Sequence, residues 1–134
     1  MSPDGKWLAA WEGAARNAVV YPAGGGPPTL ICSGCATTGG ENRGITPPLL
    51  SWSPDGKFLY LHRSNSRETY SVPLRPGQIL PPLPASGLGS ISDAGALPGG
   101  RLIPQPRAFL GTNPSVYAFA RVTTHRNSYR IPVP

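Results

Sequence analysis

The sequence has few of the residue types on which catalysis and metal binding depend. Only 13% of its 134 residues are charged, and it contains two cysteines, two histidines and one methionine. No acidic residue occurs after position 93, although five arginines do. No apolar run reaches the roughly 18–20 residues that span a bilayer, and the N-terminus lacks a signal-peptide pattern. We therefore expect no membrane span in this chain, and the sequence does not assign a compartment.

The motifs of several enzyme classes are also missing. The sequence has no G-x-S-x-G nucleophile elbow. Its glycine clusters lack the lysine and hydroxyl residue of a phosphate-binding loop, and it contains no kinase catalytic motif. We therefore predict that the chain is not an enzyme and has no catalytic, cofactor-binding or metal-binding residues.

Glycine and proline are abundant instead, at 17 and 18 residues. They fall between short apolar, β-prone segments, as the turns of an all-β protein do. Helix is disfavoured nearly everywhere, apart from a short helical turn near residues 90–96. Residues 37–48 and 85–100 are rich in turn-forming residues, and we interpret them as loops. The predicted fold class is all-β, in a single domain.

One hexapeptide occurs twice. SPDGKW at residues 2–7 returns as SPDGKF at residues 53–58, an offset of 51 (53 − 2). Proline presets the backbone of a turn, serine and aspartate bond nearby amides, and glycine tolerates a positive φ. Each copy therefore predicts a turn followed by a strand, and residues 49–52 add a strand before the second turn, which completes a hairpin. The predicted structural turn residues are Ser2, Pro3, Asp4, Gly5, Ser53, Pro54, Asp55 and Gly56.

The spacing beyond the turn is repeated as well. An aromatic residue precedes a proline by 15 positions three times: Trp7 and Pro22 (22 − 7), Phe58 and Pro73 (73 − 58), and Tyr117 and Pro132 (132 − 117). A β-prone segment ends at each proline, which suits a strand end or an edge. The turn before the third aromatic residue has changed to TNPS. We predict three hairpin-containing units, near residues 2–33, 49–84 and 101–134.

The two Ser-Pro-Asp-Gly-Lys-aromatic motifs, with Trp52 ahead of the second, resemble the WD40-like repeat of TolB-type β-propellers. The resemblance covers the three units, so most of the chain. Residues 115–121 and 126–132 also look like the last blade of propellers found at the C-terminus of some bacterial serine/threonine kinases. A propeller closes with about 4–8 blades, so three units imply a partial propeller. Its open sheet edges would favour self-association. A small β-sandwich is the alternative fold.

This resemblance implies a non-catalytic module for protein interaction or ligand sensing. We expect it to be a C-terminal fragment of a larger protein such as a bacterial receptor-like kinase, and extracytoplasmic if that kinase is membrane-anchored. The alternative is the accessory propeller of a prolyl-oligopeptidase-like serine peptidase without its catalytic domain. A structural product of a shortened gene is a third hypothesis. The sequence names neither the ligand nor the partner.

Cys32 and Cys35 form a C-x-x-C motif, the spacing of a disulfide, a redox pair or half a zinc site. A structural zinc ion needs four ligands. His62 and His125 lie 63 residues apart (125 − 62), in different predicted units. The motif also lies in a predicted loop, so we favour a loop pair that is reduced in the cytosol or bridged outside it.

The surplus of positive charge is a last candidate feature. The acids Asp4 and Asp55 need no role beyond turn formation. A basic face near the C-terminus would attract an anionic partner, although scattered, solvated arginines are the simpler interpretation. The low content of charged residues speaks against a nucleic-acid partner. The residues of this candidate face are Arg101, Arg107, Arg121, Arg126 and Arg130.

Overall fold

The computed structural model describes residues 1–12, 14–35, 50–62, 68–105, 108–119 and 123. Within them the secondary structure is mostly β, as predicted, with one short 3-10 helix at Ile91–Ala96. The strands in chain order are β1 (Trp7–Glu12), β2 (Asn17–Pro22), β3 (Thr29–Cys32), β4 (Leu50–Trp52), β5 (Phe58–His62), β6 (Thr69–Pro73), β7 (Arg101–Ile103), β8 (Ala108–Leu110) and β9 (Tyr117–Phe119).

These strands form three antiparallel sheets. The first sheet has the order β1-β2-β3, the second β4-β5-β6-β7 and the third β8-β9. Every neighbouring pair runs antiparallel. In the part of the chain that the structure describes, the sheets do not close into a barrel.

The two hexapeptide turns make the same hydrogen bonds. Ser53 N donates to Phe58 O (2.9 Å) and Gly56 N to Ser53 O (2.9 Å). Phe58 N donates to Ser53 Oγ (2.9 Å), which in turn donates to Asp55 Oδ1 (2.6 Å). The same carboxylate oxygen accepts Lys57 N at 3.2 Å. In the first turn Ser2 N donates to Trp7 O at 2.8 Å, and Gly5 N donates to Ser2 O at 3.0 Å. Trp7 N donates to Ser2 Oγ at 3.0 Å, and Ser2 Oγ donates to Asp4 Oδ1 at 2.5 Å. Asp4 Oδ1 also accepts Lys6 N at 3.1 Å. The identical side chains of the two motifs therefore form turns with the same hydrogen bonds.

The 15-residue spacing reflects strand register. Each aromatic residue pairs directly with its proline, Trp7 with Pro22 and Phe58 with Pro73. The residue after each proline still donates a backbone hydrogen bond across the hairpin, at 2.7 and 2.8 Å. Proline has no backbone N–H, and the hairpin needs none at this position because the following residue supplies the donor. Pro132, the third member of the pattern, lies outside the described residues.

The third sheet repeats the hairpin β4-β5 in a different register from the one that the spacing predicts. Leu110 pairs with Tyr117, seven positions on (117 − 110), as Trp52 pairs with Leu59 (59 − 52). By this register Tyr117 corresponds to Leu59 and not to Phe58. The loop lengths are equal, but Gly111 stands at the place of Ser53, so the third turn lacks the hydroxyl that accepts the N–H at the start of the following strand in the other two.

One strand lies in a different sheet from the predicted one. The sequence assigns residues 101–103 to the third unit, whereas β7 pairs with β6 at the edge of the second sheet. The predicted loop 85–100 contains the 3-10 helix, whose first turn is capped by the Ser90 side chain. Because this helix packs against β6, it brings the chain back alongside that strand. Loop 37–48 lies outside the described residues.

The core lies between the first and second sheets. Ala18 and Val20 of the first sheet pack with Leu59, Leu61 and Val72 of the second, and all five are 0% exposed. Side chains alternate between the two faces of a strand. The remaining residues of β5 and β6 therefore point away from this core, towards the third sheet.

Candidate functional site: the polar face and cleft of the second sheet

The face of the second sheet that points away from the core carries polar side chains. Strand pairing places Ser51, Tyr60 and Ser71 in one row across β4, β5 and β6, and His62 with Thr69 in the next. The residues of β5 and β6 in this set are only 1–4% exposed. A polar face this deeply buried needs hydrogen-bond partners.

These partners come from within the sheet and from the third sheet. His62 Nδ1 lies 2.9 Å from Thr69 Oγ1, and the Tyr60 hydroxyl donates to Gly111 O at 2.8 Å. Burial lowers the pKa of His62, which favours the neutral ring. Burial, with a smaller contribution from the Asp55 charge, raises the pKa of Tyr60 to about 12. Tyr60 is therefore a protonated donor at neutral pH.

A cavity of about 190 Å³ lies between these groups and the third sheet. This volume is below the roughly 300–1,000 Å³ of ligand pockets, and it suits a few waters or a very small polar molecule. Its lining residues are Ser51, Trp52, Pro54, Tyr60, His62, Thr69, Ala108, Phe109 and Leu110.

The contact of Thr69 with His62 resembles that of a hydroxyl nucleophile with its base. Thr69 is only 2% exposed, however, so a substrate would have to displace its neighbours to reach the hydroxyl. The pair is better explained as mutual satisfaction of two buried polar side chains. Sequence reasoning considered His62 only as a zinc ligand. The signal for this face is the period-two alternation of polar residues along β5 and β6.

Both turn aspartates, Asp4 and Asp55, are exposed, and each is held by its own turn. The hydrogen bond from Ser2 lowers the pKa of Asp4, and that from Ser53 lowers the pKa of Asp55. The two turns also lie side by side, since a Cβ on the glycine of the second turn would stand 3.8 Å from Pro3 Cγ.

Cys32 and Cys35 are joined as a disulfide at the end of β3. Cys32 is fully buried and forms a parallel bridge with Leu88, whose N–H donates to Ile31 O at 2.8 Å. The disulfide therefore lies where the first sheet meets the long loop. No group of three or more His, Cys, Asp or Glu that could hold a metal ion occurs among the described residues, and His125 lies outside them.

The candidate basic face is described at one residue, Arg101, an exposed residue at the start of β7. The remaining four arginines lie outside the part of the chain that the structure describes: Arg107, Arg121, Arg126 and Arg130. An anionic partner for this face therefore stays a prediction.

The outer face of the first sheet, which we define by Leu8, Ala10, Val19 and Tyr21, points away from the core; Val19 is buried (2% exposed), Ala10 and Tyr21 are half-buried, and Leu8 is exposed. Its residues alternate with core-facing neighbours along β1 and β2. Leu8 is 46% exposed, whereas Leu59, its counterpart one motif later, is 0% exposed. The third sheet also exposes apolar side chains. The exposed fractions there are Phe109 36%, Tyr117 37% and Phe119 52%.

No family model, curated protein or solved structure matches this chain. Among the residues that the structure describes, the fold is mostly β and consists of three antiparallel sheets. In the described part of the chain, none of the helical structure is long and apolar enough to cross a membrane.

Proposed function

We propose that this chain is a non-catalytic β-propeller segment that acts as a protein-interaction module. The observation that carries the proposal is the outer face of the first sheet, where Leu8 is 46% exposed. A set of exposed apolar side chains marks an interaction site where a single one does not, and Trp11 on the same strand is also exposed, at 56%. The buried counterpart Leu59 indicates that such a position is suited to contact with another sheet. Ligand sensing is the less favoured form of the proposal, because the cleft of about 190 Å³ is small for a ligand pocket.

The larger protein to which such a segment belongs is proposed from the sequence resemblance. A bacterial receptor-like kinase with an extracytoplasmic propeller is the first choice, and the accessory propeller of a prolyl-oligopeptidase-like peptidase is the alternative. The protein sequence encoded on either side of this chain distinguishes the two hypotheses. Further repeats and a kinase domain upstream support the first, and an α/β-hydrolase domain downstream supports the second.

Site-specific photo-crosslinking in cells tests the interaction role. A photo-crosslinking amino acid in place of Leu8 is expected to give a covalent adduct of discrete mass. The matched control places the same residue at Leu102, which is 47% exposed on β7. Adducts at position 8 but not at 102 support the proposal. Equal labelling at both positions, or none at position 8, contradicts it.

A further inference from the structure

The strand β1 forms an open edge of the first sheet. It pairs with β2 on one side, and none of the described strands pairs with it on the other. Residues along an antiparallel strand bond alternately to one side and to the other. Because Ala23 N donates to Lys6 O across the hairpin (2.7 Å), the even-numbered residues of β1 bond to β2. The N–H and C=O groups of Trp7, Ala9 and Trp11 therefore point to the open edge.

Two of these three residues are available for pairing. Trp7 is already bonded by its own turn, since Ser2 N donates to Trp7 O (2.8 Å) and Trp7 N donates to Ser2 Oγ (3.0 Å). Ala9 is half-buried and Trp11 is 56% exposed, so solvent reaches both. The edge therefore offers two N–H donors and two C=O acceptors in the spacing of an antiparallel ladder.

The other edges of the first two sheets are short or covered. The loop covers β3, where Leu88 N donates to Ile31 O at 2.8 Å. The edge strands β4 and β7 have three residues each, and β7 begins at the exposed Arg101 and is followed by Pro104. Short strands, charges and prolines protect sheet edges from other chains. By contrast β1 has six residues and ends in its one charged residue, Glu12, so it is the edge best suited to accept a strand.

The second hairpin shows what occupies the equivalent edge. There β4 pairs antiparallel with β5, and Ser51 lies opposite Tyr60. The motif offset of 51 makes Ala9 the counterpart of Tyr60 (60 − 51) and Trp11 the counterpart of His62 (62 − 51). These positions are polar in β5 and apolar in β1. Directly paired residues share a face of the sheet, so a strand added to β1 needs apolar side chains where β4 has a serine.

Apolar side chains at these positions would be covered by the protein. Ala9 packs against the core, on the face of β1 that is turned to the second sheet, and β1 approaches β4 there. A side chain beside Ala9 would therefore extend the packing between the two sheets. Trp11 shares this face of β1, and an apolar neighbour on the added strand would cover part of its exposed ring.

We propose that the open edge of β1 binds an extended segment of a partner polypeptide, which pairs antiparallel with Ala9 and Trp11 and turns apolar side chains at alternate positions to the second sheet. This inference rests on the proposed function and names the chemistry of the partner. A second copy fits less well. Pairing of two copies through β1 would place both second sheets on the same face of the joined sheet, where β4 already approaches β1.

Titration of the whole chain with a designed peptide tests this edge. The probe is a fluorescent hexapeptide of alternating leucine and threonine, blocked at both ends and titrated to about 1 mM. We expect saturable binding that slows hydrogen exchange at the amides of Ala9 and Trp11 and leaves β7 unchanged. Ala9→Pro removes one donor at the edge and keeps the pairing with β2. This variant should bind the peptide about fivefold more weakly, with an unchanged circular dichroism spectrum.

Methylation of the peptide backbone tests the face and the register without altering the protein. N-methyl groups on the leucines remove the N–H groups that bond to β1 and should weaken binding about tenfold or more. N-methyl groups on the threonines, whose N–H groups point away from β1, are the matched control and should leave binding within about twofold. The reverse pattern, slower exchange in β7 instead of β1, or no binding overturns the inference.

Two further outcomes separate this inference from its alternatives. A dimer of the chain alone, with slow exchange at Ala9 and Trp11, assigns the edge to a second copy and overturns the inference. Failure of the peptide to bind, together with an adduct from position 8 to another protein, overturns the edge pairing but leaves the proposed function standing. Failure of both experiments contradicts both proposals.

Discussion

The turn serines Ser2 and Ser53 are polar side chains that are nearly or fully buried, at 4% and 0% exposed. The hydroxyl of each accepts the N–H at the start of the following strand and donates to the turn aspartate. An unpaired buried N–H costs about 1–3 kcal/mol, so the serine is the residue that joins turn to strand. The aspartate completes the network from the solvent side, which accounts for its lowered pKa.

Acid titration of stability tests this network. The folded-state pKa values of Asp4 and Asp55 are lowered from 3.8, so the unfolded chain binds protons first as the pH falls. The stability that they contribute is present above pH 3.8 and is lost as the pH falls through the folded values. We expect Asp4→Asn/Asp55→Asn to flatten the pH dependence of the urea midpoint in this acid range. The single variants should each flatten it in part, and an unchanged slope in the double variant contradicts the prediction.

At the scale of elements, each hexapeptide sets both the turn and the register of the hairpin that follows. Gly5 and Gly56 adopt φ values of +72° and +71°, which side chains with a Cβ rarely adopt. The same left-handed position in both copies explains why glycine occupies the fourth place of the motif.

Gly56→Ala is expected to destabilise the protein by about 1–2 kcal/mol through this backbone conformation. A steric clash does not contribute, because the added Cβ would lie 3.8 Å from Pro3 Cγ. Gly24→Ala is the matched control, since its Cβ would meet nothing within 4 Å and its φ is not positive. The free energy of unfolding in urea measures both. Equal stability of the two variants contradicts a conformational role for Gly56.

Local patterns predicted these elements well where the motif is intact. The turns, the strands after them and the aromatic–proline pairing all follow from residues close in sequence. The third hairpin differs: its register aligns Tyr117 with Leu59, because Gly111 stands where the motif has its first serine. The prediction was wrong for residues 101–103, because the edge that β7 joins depends on where the 3-10 helix docks.

At the scale of the whole molecule, the two faces of the second sheet differ in polarity and pack against different sheets. Its apolar face forms the core with the first sheet, and its polar face meets the third sheet across a cleft. The Tyr60 hydroxyl, which lies 2.8 Å from Gly111 O, bridges that cleft. Because the pKa of Tyr60 is raised to about 12, this donor persists throughout the neutral range.

Tyr60→Phe removes this bridge and keeps the ring. We expect a loss of about 1 kcal/mol, seen as roughly fivefold faster hydrogen exchange at amides of the third sheet, with β1 and β2 unchanged. Tyr21→Phe is the matched control, since its hydroxyl donates to Glu12 within the first sheet. Its effect should stay in that sheet. Two results would contradict a stabilising Tyr60–Gly111 hydrogen bond: faster amide exchange in the third sheet of the Tyr21→Phe variant, or unchanged exchange in the third sheet of the Tyr60→Phe variant.

The sequence alone determined the β class, the two turns and the register of the hairpins they begin, because these depend on hydrogen bonds between residues a few positions apart. The tertiary structure decided which sheet β7 joins and that His62, Thr69 and Tyr60 form a buried polar face. It also decided which apolar side chains stay exposed. These outcomes depend on the packing of one sheet against another, and such contacts join residues too distant in the chain for a local pattern to specify.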